Sequence, residues 1–206
     1  MRKLRDQSEG VRHIWCRGNR KQAIFADDYD RERYLVLLGK VCRKLNWRVV
    51  VYCLMTNHVH LVIEVPTGTL SYGMQLLHGW YAQAFNRRYG HVGHLFERRF
   101  AARRVDEEAY AKQVTRYVVQ NPTRAGLVED AVEWKWSSHR AVLGIADAPP
   151  FLDVGWTLAQ FACDPERARS AYAEFVAAYG HWPEDRGQAP GRDPGSRGPN
   201  GRAPRV

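Results

Sequence analysis

Arg48-Val49-Val50-Val51-Tyr52-Cys53-Leu54, then Met55-Thr56-Asn57, then His58-Val59-His60-Leu61-Val62-Ile63-Glu64-Val65 is the stretch that decides the fold. Two runs rich in β-branched residues flank three residues. That spacing predicts two buried strands joined by a tight hairpin. The second run alternates. Val59, Leu61, Ile63 and Val65 fall on one side of the strand, and His58, His60, Val62 and Glu64 on the other. The first side is wholly apolar and is expected to face helices.

Both neighbours of the hairpin read as long helices. Upstream, Asp27 or Asp28 caps a helix over 29–45, with Tyr34, Leu38, Val41 and Leu45 on one stripe, widened by Leu35 and Cys42. Downstream, Leu70, Met74, Leu77, Tyr81 and Phe85 define a helix over 69–89, closed by Gly90. Gly73 and Gly79 are unfavourable inside it. Outermost are a strand at Val11–Arg17 with a Gly18-Asn19 turn, a basic strand over 94–105, and a helix over 107–120 that Asn121-Pro122 should stop. The order β-α-β-β-α-β-α predicts an α+β fold of the ferredoxin or RNA-recognition type, an antiparallel sheet with two helices on one face.

This domain is expected over 11–145. Pro149-Pro150 marks a joint. Asp164-Pro165-Glu166 opens a helix over 165–179, with Ala168, Tyr172, Phe175 and Tyr179 at helical spacing, so 146–182 reads as a helical appendage. Residues 183–206 hold five Gly, five Pro and five Arg and almost nothing apolar, so the composition predicts a disordered basic tail.

Thirty-one Lys and Arg against 22 Asp and Glu leave a net charge of +9, which favours a polyanionic partner such as nucleic acid. No apolar run reaches the roughly 18 residues that span a bilayer, and the charged first residues lack a secretory pattern. The four cysteines, Cys16, Cys42, Cys53 and Cys163, form no C-x-x-C pair. That disfavours a zinc ribbon or disulfide scaffold and fits a reduced, cytoplasmic setting.

Two features can carry chemistry. His58 and His60 lie one strand repeat apart on the same side, close enough for both rings to reach one cation. Paired histidines exposed on a strand are the plainer reading. On the 107–120 helix, Tyr117 and Asn121 are four apart and therefore side by side. On the residues alone the plainer reading makes Tyr117 a core aromatic, and Asn121 also reads as a helix stop. Arg98, Arg99, Arg103 and Arg104, with Arg87 and Arg88, can form a phosphate-tracking patch or a solvated basic edge. Trp47, Trp80, Trp134 and Trp136 can stack on bases or fill the core.

Met55-Thr56-Asn57-His58-Val59-His60, the run from Tyr117-Val118-Val119-Gln120-Asn121-Pro122 to Val128, and Trp136-Ser137-Ser138 resemble the single-tyrosine HUH transposases, most closely the REP-associated tyrosine transposases. Arg17-Gly18-Asn19 and Phe85-Asn86-Arg87-Arg88-Tyr89-Gly90 add to the resemblance, which runs from about 11 to 143. Thr56 departs from a frequent proline, and Val119 from a frequent polar residue.

The resemblance implies a DNA strand transferase. It makes Tyr117 the catalytic nucleophile and His58, His60 and Asn121 the ligands of a divalent metal, Mg²⁺ or Mn²⁺. It implies single-stranded DNA with a hairpin or inverted repeat as partner, a 5′-phosphotyrosine intermediate, and a monomer or homodimer. A non-cleaving nucleic-acid-binding regulator on the same fold is the alternative. A nuclease using metal-activated water is a third reading.

Overall fold

A computed structural model describes residues 8–178. Tyr179 and the tail expected over 183–206 lie outside the described residues. Strand β1 (Gly10–Arg17) leads through a short 3₁₀ turn to helix α1 (Asp28–Leu45). Strands β2 (Arg48–Leu54) and β3 (His58–Val65) form the hairpin, followed by α2 (Leu70–Tyr89), β4 (Ala101–Arg104) and α3 (Glu108–Val119). The sheet order is β2-β3-β1-β4 with every neighbouring pair antiparallel. This is the ferredoxin-like arrangement that the element order predicts.

The alternation of β3 is realised in full. Val59, Leu61, Ile63 and Val65 are buried in one core with Tyr34, Leu38 and Val41 of α1 and Met74, Leu77 and Tyr81 of α2. Helix α1 starts at Asp27, whose carboxylate accepts from the Asp30 amide, and ends on Asn46 in the left-handed conformation.

The opposite face is covered too, which the sequence reading did not anticipate. Val50, Cys53 and Val62 pack against Val114 and Val118 of α3 in a second core. A register shift between Val49 and Val51 lets both Val50 and Val51 join it. The short helices α4 (Asn121–Arg124), α5 (His139–Val142) and α6 (Val154–Ala159) follow, then α7 (Pro165–Ala177). Asp164 caps α7 through the Arg167 amide, and Ala168, Tyr172 and Val176 bury its inner face in the second core.

Two expected elements differ. The strand expected over 94–105 is regular only over Ala101–Arg104. Phe96 bridges Gly18 and Ala101 pairs with Trp15, so β1 takes three steps where its partner takes five. Two extra residues must bulge out between them, which ends the regular ladder. Nor does Asn121-Pro122 end the helical run. Pro122 sits in the first turn of α4, where a missing N–H costs nothing, and the chain makes one further turn.

The two α2 glycines have opposite explanations. A Cβ on Gly73 would lie 2.2 Å from the buried Trp47 ring, so the helix needs glycine there for close approach. Nothing lies within 4 Å of a Cβ on Gly79. Gly73→Ala should therefore destabilise by about 1–3 kcal/mol through overpacking. Gly79→Ala should stabilise by roughly 0.5–1 kcal/mol through lower unfolded-state entropy. Urea titration of both variants checks this; equal signs would refute the packing account.

Among the described residues no helix is long and apolar enough to cross a membrane.

Candidate active site

Three separated segments meet on the α3 face of the sheet. Antiparallel pairing puts Trp15 opposite His60, Arg17 opposite His58 and His13 opposite Val62, so all six side chains share that face. The amphipathic α3 turns Val114 and Val118 into the core and brings half-buried Tyr117 over the imidazoles.

The rings of His58 and His60 are 5.2 Å apart, centroid to centroid, and nearly perpendicular. Tyr117 stands edge-on to His60 at 5.5 Å. Asn121, one helical turn beyond Tyr117, donates through Nδ2 to the Tyr117 carbonyl at 2.7 Å. That leaves its Oδ1 as the acceptor, and the side chain also reaches hydrogen-bonding distance of the His58 ring. The four residues singled out in the sequence are thus brought together.

His58 is half-buried. Burial first, then the nearby Arg17 guanidinium, lowers its pKa to about 4, against a raising contact from Asn121. His60 is buried, and burial, then the neighbouring rings of His13 and His58, then Arg124 and Arg17 hold its pKa well below the usual value. Both rings are neutral at pH 7, the form that binds a cation. The plainer reading of two exposed histidines therefore does not hold: His58 is half-buried, and α3 roofs the strand at His60.

The orientation of His58 is fixed from outside. Asn57 donates through Nδ2 to the Lys21 carbonyl at 2.9 Å, so its Oδ1 faces His58 Nδ1 at 2.7 Å and accepts from it. The His58 lone pair is then on Nε2. Two imidazole nitrogens and one amide oxygen form a mixed set with open positions. Such a set can hold a divalent cation and leaves positions for further ligands. Among the described residues no cluster of three His, Cys, Asp or Glu side chains is placed to hold a metal.

Sequence reasoning missed three neighbours as site residues. His13 is fully buried beside His60. Arg124 lies over the Tyr117 ring, 5.0 Å from its centroid, and Arg17 flanks His58. The alternation of Val11–Arg17 carried a signal for His13 and Arg17, but only the register with β3 shows which residues they join.

The six arginines do not form one patch. Arg103 is on the His13 side of β4, its guanidinium 4.4 Å from the Tyr110 ring centroid. Arg104 points to the other face and pairs with Asp106. Arg98 and Arg99 line a groove of about 580 Å³ along α2, beside Phe96 and His78. Arg87 and Arg88 border a different cavity between α1 and α2, and Arg88 is bound by Asp27 and Asp30 at 2.6 and 2.8 Å. Strand alternation and the two ends of α2 separate them. Of the four tryptophans considered for stacking, Trp47 is buried on Thr69, and Trp134 and Trp136 flank Arg31. Trp80 is the exposed one.

The fold is similar to that of known proteins. The family model described as "Transposase IS200 like" matches residues 8–121. No curated protein sequence matches the chain. Among solved structures, a REP-associated tyrosine transposase bound to a REP hairpin is similar at a TM-score of 0.59 and 15% identity, covering 74% of this chain and 90% of that one. A structure from Deinococcus radiodurans R1, provisionally named a transposase, aligns at a TM-score of 0.41 and 18% identity over 57% of this chain and 95% of that one. The family match spans residues 8–121, more than half the chain: this protein belongs to the IS200-like transposases, the enzymes of DNA transposition.

Proposed function

We propose that the protein cuts and rejoins single-stranded, hairpin-bearing DNA through a covalent bond to Tyr117. The observation that carries this reading is the packing of Tyr117 against His60 with Asn121 beside His58. A core tyrosine would not require two neutral imidazoles and an oriented amide at its edge. The similar transposase solved with a REP hairpin supports the choice of a hairpin-bearing strand.

The Tyr117 hydroxyl oxygen attacks the scissile phosphorus. The bond from phosphorus to the 3′ oxygen breaks, leaving a 5′-phosphotyrosine and a 3′-hydroxyl that takes up a proton. A second 3′-hydroxyl attacks the same phosphorus and Tyr117 leaves, so strands rejoin without a nucleotide cofactor. A phenol suits both steps, because it ionises more easily than an alcohol and departs more easily too. His58, His60 and Asn121 would hold a Mg²⁺ or Mn²⁺ that neutralises charge on the phosphate oxygens. Arg124 and Arg17 supply fixed positive charge at the same place, where negative charge builds during transfer. Arg103 stands on this face as a further phosphate contact. Arg98 and Arg99 are the remaining arginines offered to the strand, from the α2 groove.

The test is a labelled single-stranded hairpin oligonucleotide with Mn²⁺. A denaturation-resistant protein–DNA band is expected, absent with EDTA and absent on blunt duplex. In the same assay Arg124→Ala should slow the adduct about tenfold to a hundredfold. Binding without any adduct would favour the non-cleaving regulator. Cleavage without an adduct would favour metal-activated water.

A further inference from the structure

His60 does not meet solvent on the side away from Tyr117. Its Nδ1 lies 3.1 Å from Nε2 of His13, and the two rings are close to coplanar, 23° apart. His13 is completely buried, and its other nitrogen, Nδ1, has no hydrogen-bond partner among the described residues. Burial of this kind is unusual for an imidazole without a role, because the partnerless nitrogen costs free energy.

With His60 Nδ1 occupied by His13, Nε2 is the only nitrogen of His60 that can meet a cation. The two neutral rings carry two N–H protons. One lies between them; the other sits on an outer nitrogen, either Nε2 of His60 or Nδ1 of His13. In the first arrangement His13 donates and His60 has no lone pair for a ligand. In the second His60 donates from Nδ1, its Nε2 lone pair is free, and the outer proton rests on His13 Nδ1. Cation binding at His60 selects the second arrangement.

We propose that His13 is a positioning residue for the cation site: its Nε2 accepts from His60 Nδ1 and so fixes the tautomer and ring angle that aim the His60 Nε2 lone pair at the metal. The inference rests on the cation site proposed above. Asn57 does the equivalent for His58 through its Oδ1, so each imidazole ligand has one acceptor behind it. Metal-bound histidines commonly need such an acceptor, and its removal typically weakens metal binding about tenfold to a hundredfold.

The experiment measures Mn²⁺ binding to the full chain by electron paramagnetic resonance, without DNA. His13→Leu keeps an apolar side chain in the buried slot but offers no acceptor. It should weaken binding about tenfold to a hundredfold. His13→Gln places an amide oxygen near the position of Nε2 and should stay close to wild type. A purely structural role would predict the reverse order, since Leu fits the apolar surroundings better. Leu binding as tightly as wild type, or Gln as weakly as Leu, would overturn the proposal. Independently of folding in the variants, ¹⁵N-histidine spectra of the Mg²⁺-loaded wild type should place the proton on His60 Nδ1 with a coupling across the hydrogen bond to His13 Nε2. Absence of that coupling would overturn it as well. Wild type that takes up no Mn²⁺ would overturn the cation site itself, and this inference with it.

Discussion

Lowering the pH from 7 to 5 should cost the protein several kcal/mol of stability while most of its carboxylates stay ionised. His78 is packed on Phe96, with ring centroids 4.2 Å apart and Nε2 3.3 Å from the Tyr34 hydroxyl. Burial pushes its pKa down to about 3. His139 is buried with Nδ1 2.8 Å from the Tyr172 hydroxyl, and burial lowers its pKa to about 4 against a raising effect of Asp130. Both imidazoles are neutral when folded, but in the unfolded chain they protonate near the ordinary value of about 6.5. Below that pH the unfolded state binds more protons, so stability is complete above about 6.5 and is lost as pH falls toward the folded-state values. At pH 5 buried His139 contributes a loss of about 2 kcal/mol, and half-buried His78, which borders the α2 groove, a smaller one. His13, lowered to about 3 by burial and then by Arg103, adds in the same direction.

The carboxylates held low by ion pairs, Asp27 by Arg88 and Asp28 by Lys135, lose their contribution only at more acid pH, so the window from 7 to 5 isolates the histidines. Net stabilities are only about 5–15 kcal/mol, so the loss is a large share of the total. Guanidinium midpoints at pH 7 and pH 5 check it. An unchanged midpoint would mean that these imidazoles are hydrated in the folded state.

Tyr117→Phe should abolish covalent chemistry and leave the fold alone. The ring contacts to His60, His13 and Arg124 all survive in phenylalanine. Tyr117 is only half-buried, so losing the hydroxyl should change stability by about 1 kcal/mol or less. The oxygen that forms the bond to phosphorus is gone. Loss of a nucleophile costs on the order of a thousandfold or more in rate. That separation, intact folding with no adduct, distinguishes a nucleophile from a core aromatic.

The hairpin and its alternation were legible because each β3 residue has one plausible side, and the apolar side has four consecutive members. Helices α1 and α2 were legible for a similar reason: their stripes and end residues agree. The strand before Val105 was overread, since alternation in 94–105 does not reveal the two bulged residues opposite β1. The second apolar face was missed because Val62 is its one β3 member. Its other contributors, among them residues of β2, α3, α5, α6 and α7, meet only in three dimensions.

At the site, the four residues picked from motifs do lie together. Their support does not show in local patterns. His13 is 47 positions from His60, and its role depends on register alone. The arginines were grouped by closeness in sequence. Strand alternation sends Arg103 and Arg104 to opposite faces, and Asp27 and Asp30 claim Arg88.

The most direct measurement is the location of the covalent bond. After reaction with a single-stranded hairpin oligonucleotide and Mn²⁺, the adduct is digested with nuclease and trypsin. Cleavage after Arg116 and Arg124 releases the peptide 117–124, which contains a single tyrosine. The account predicts a nucleotide phosphate on Tyr117 in wild type and no adduct in Tyr117→Phe. A phosphodiester on any other residue, or an adduct that persists in Tyr117→Phe, would contradict it.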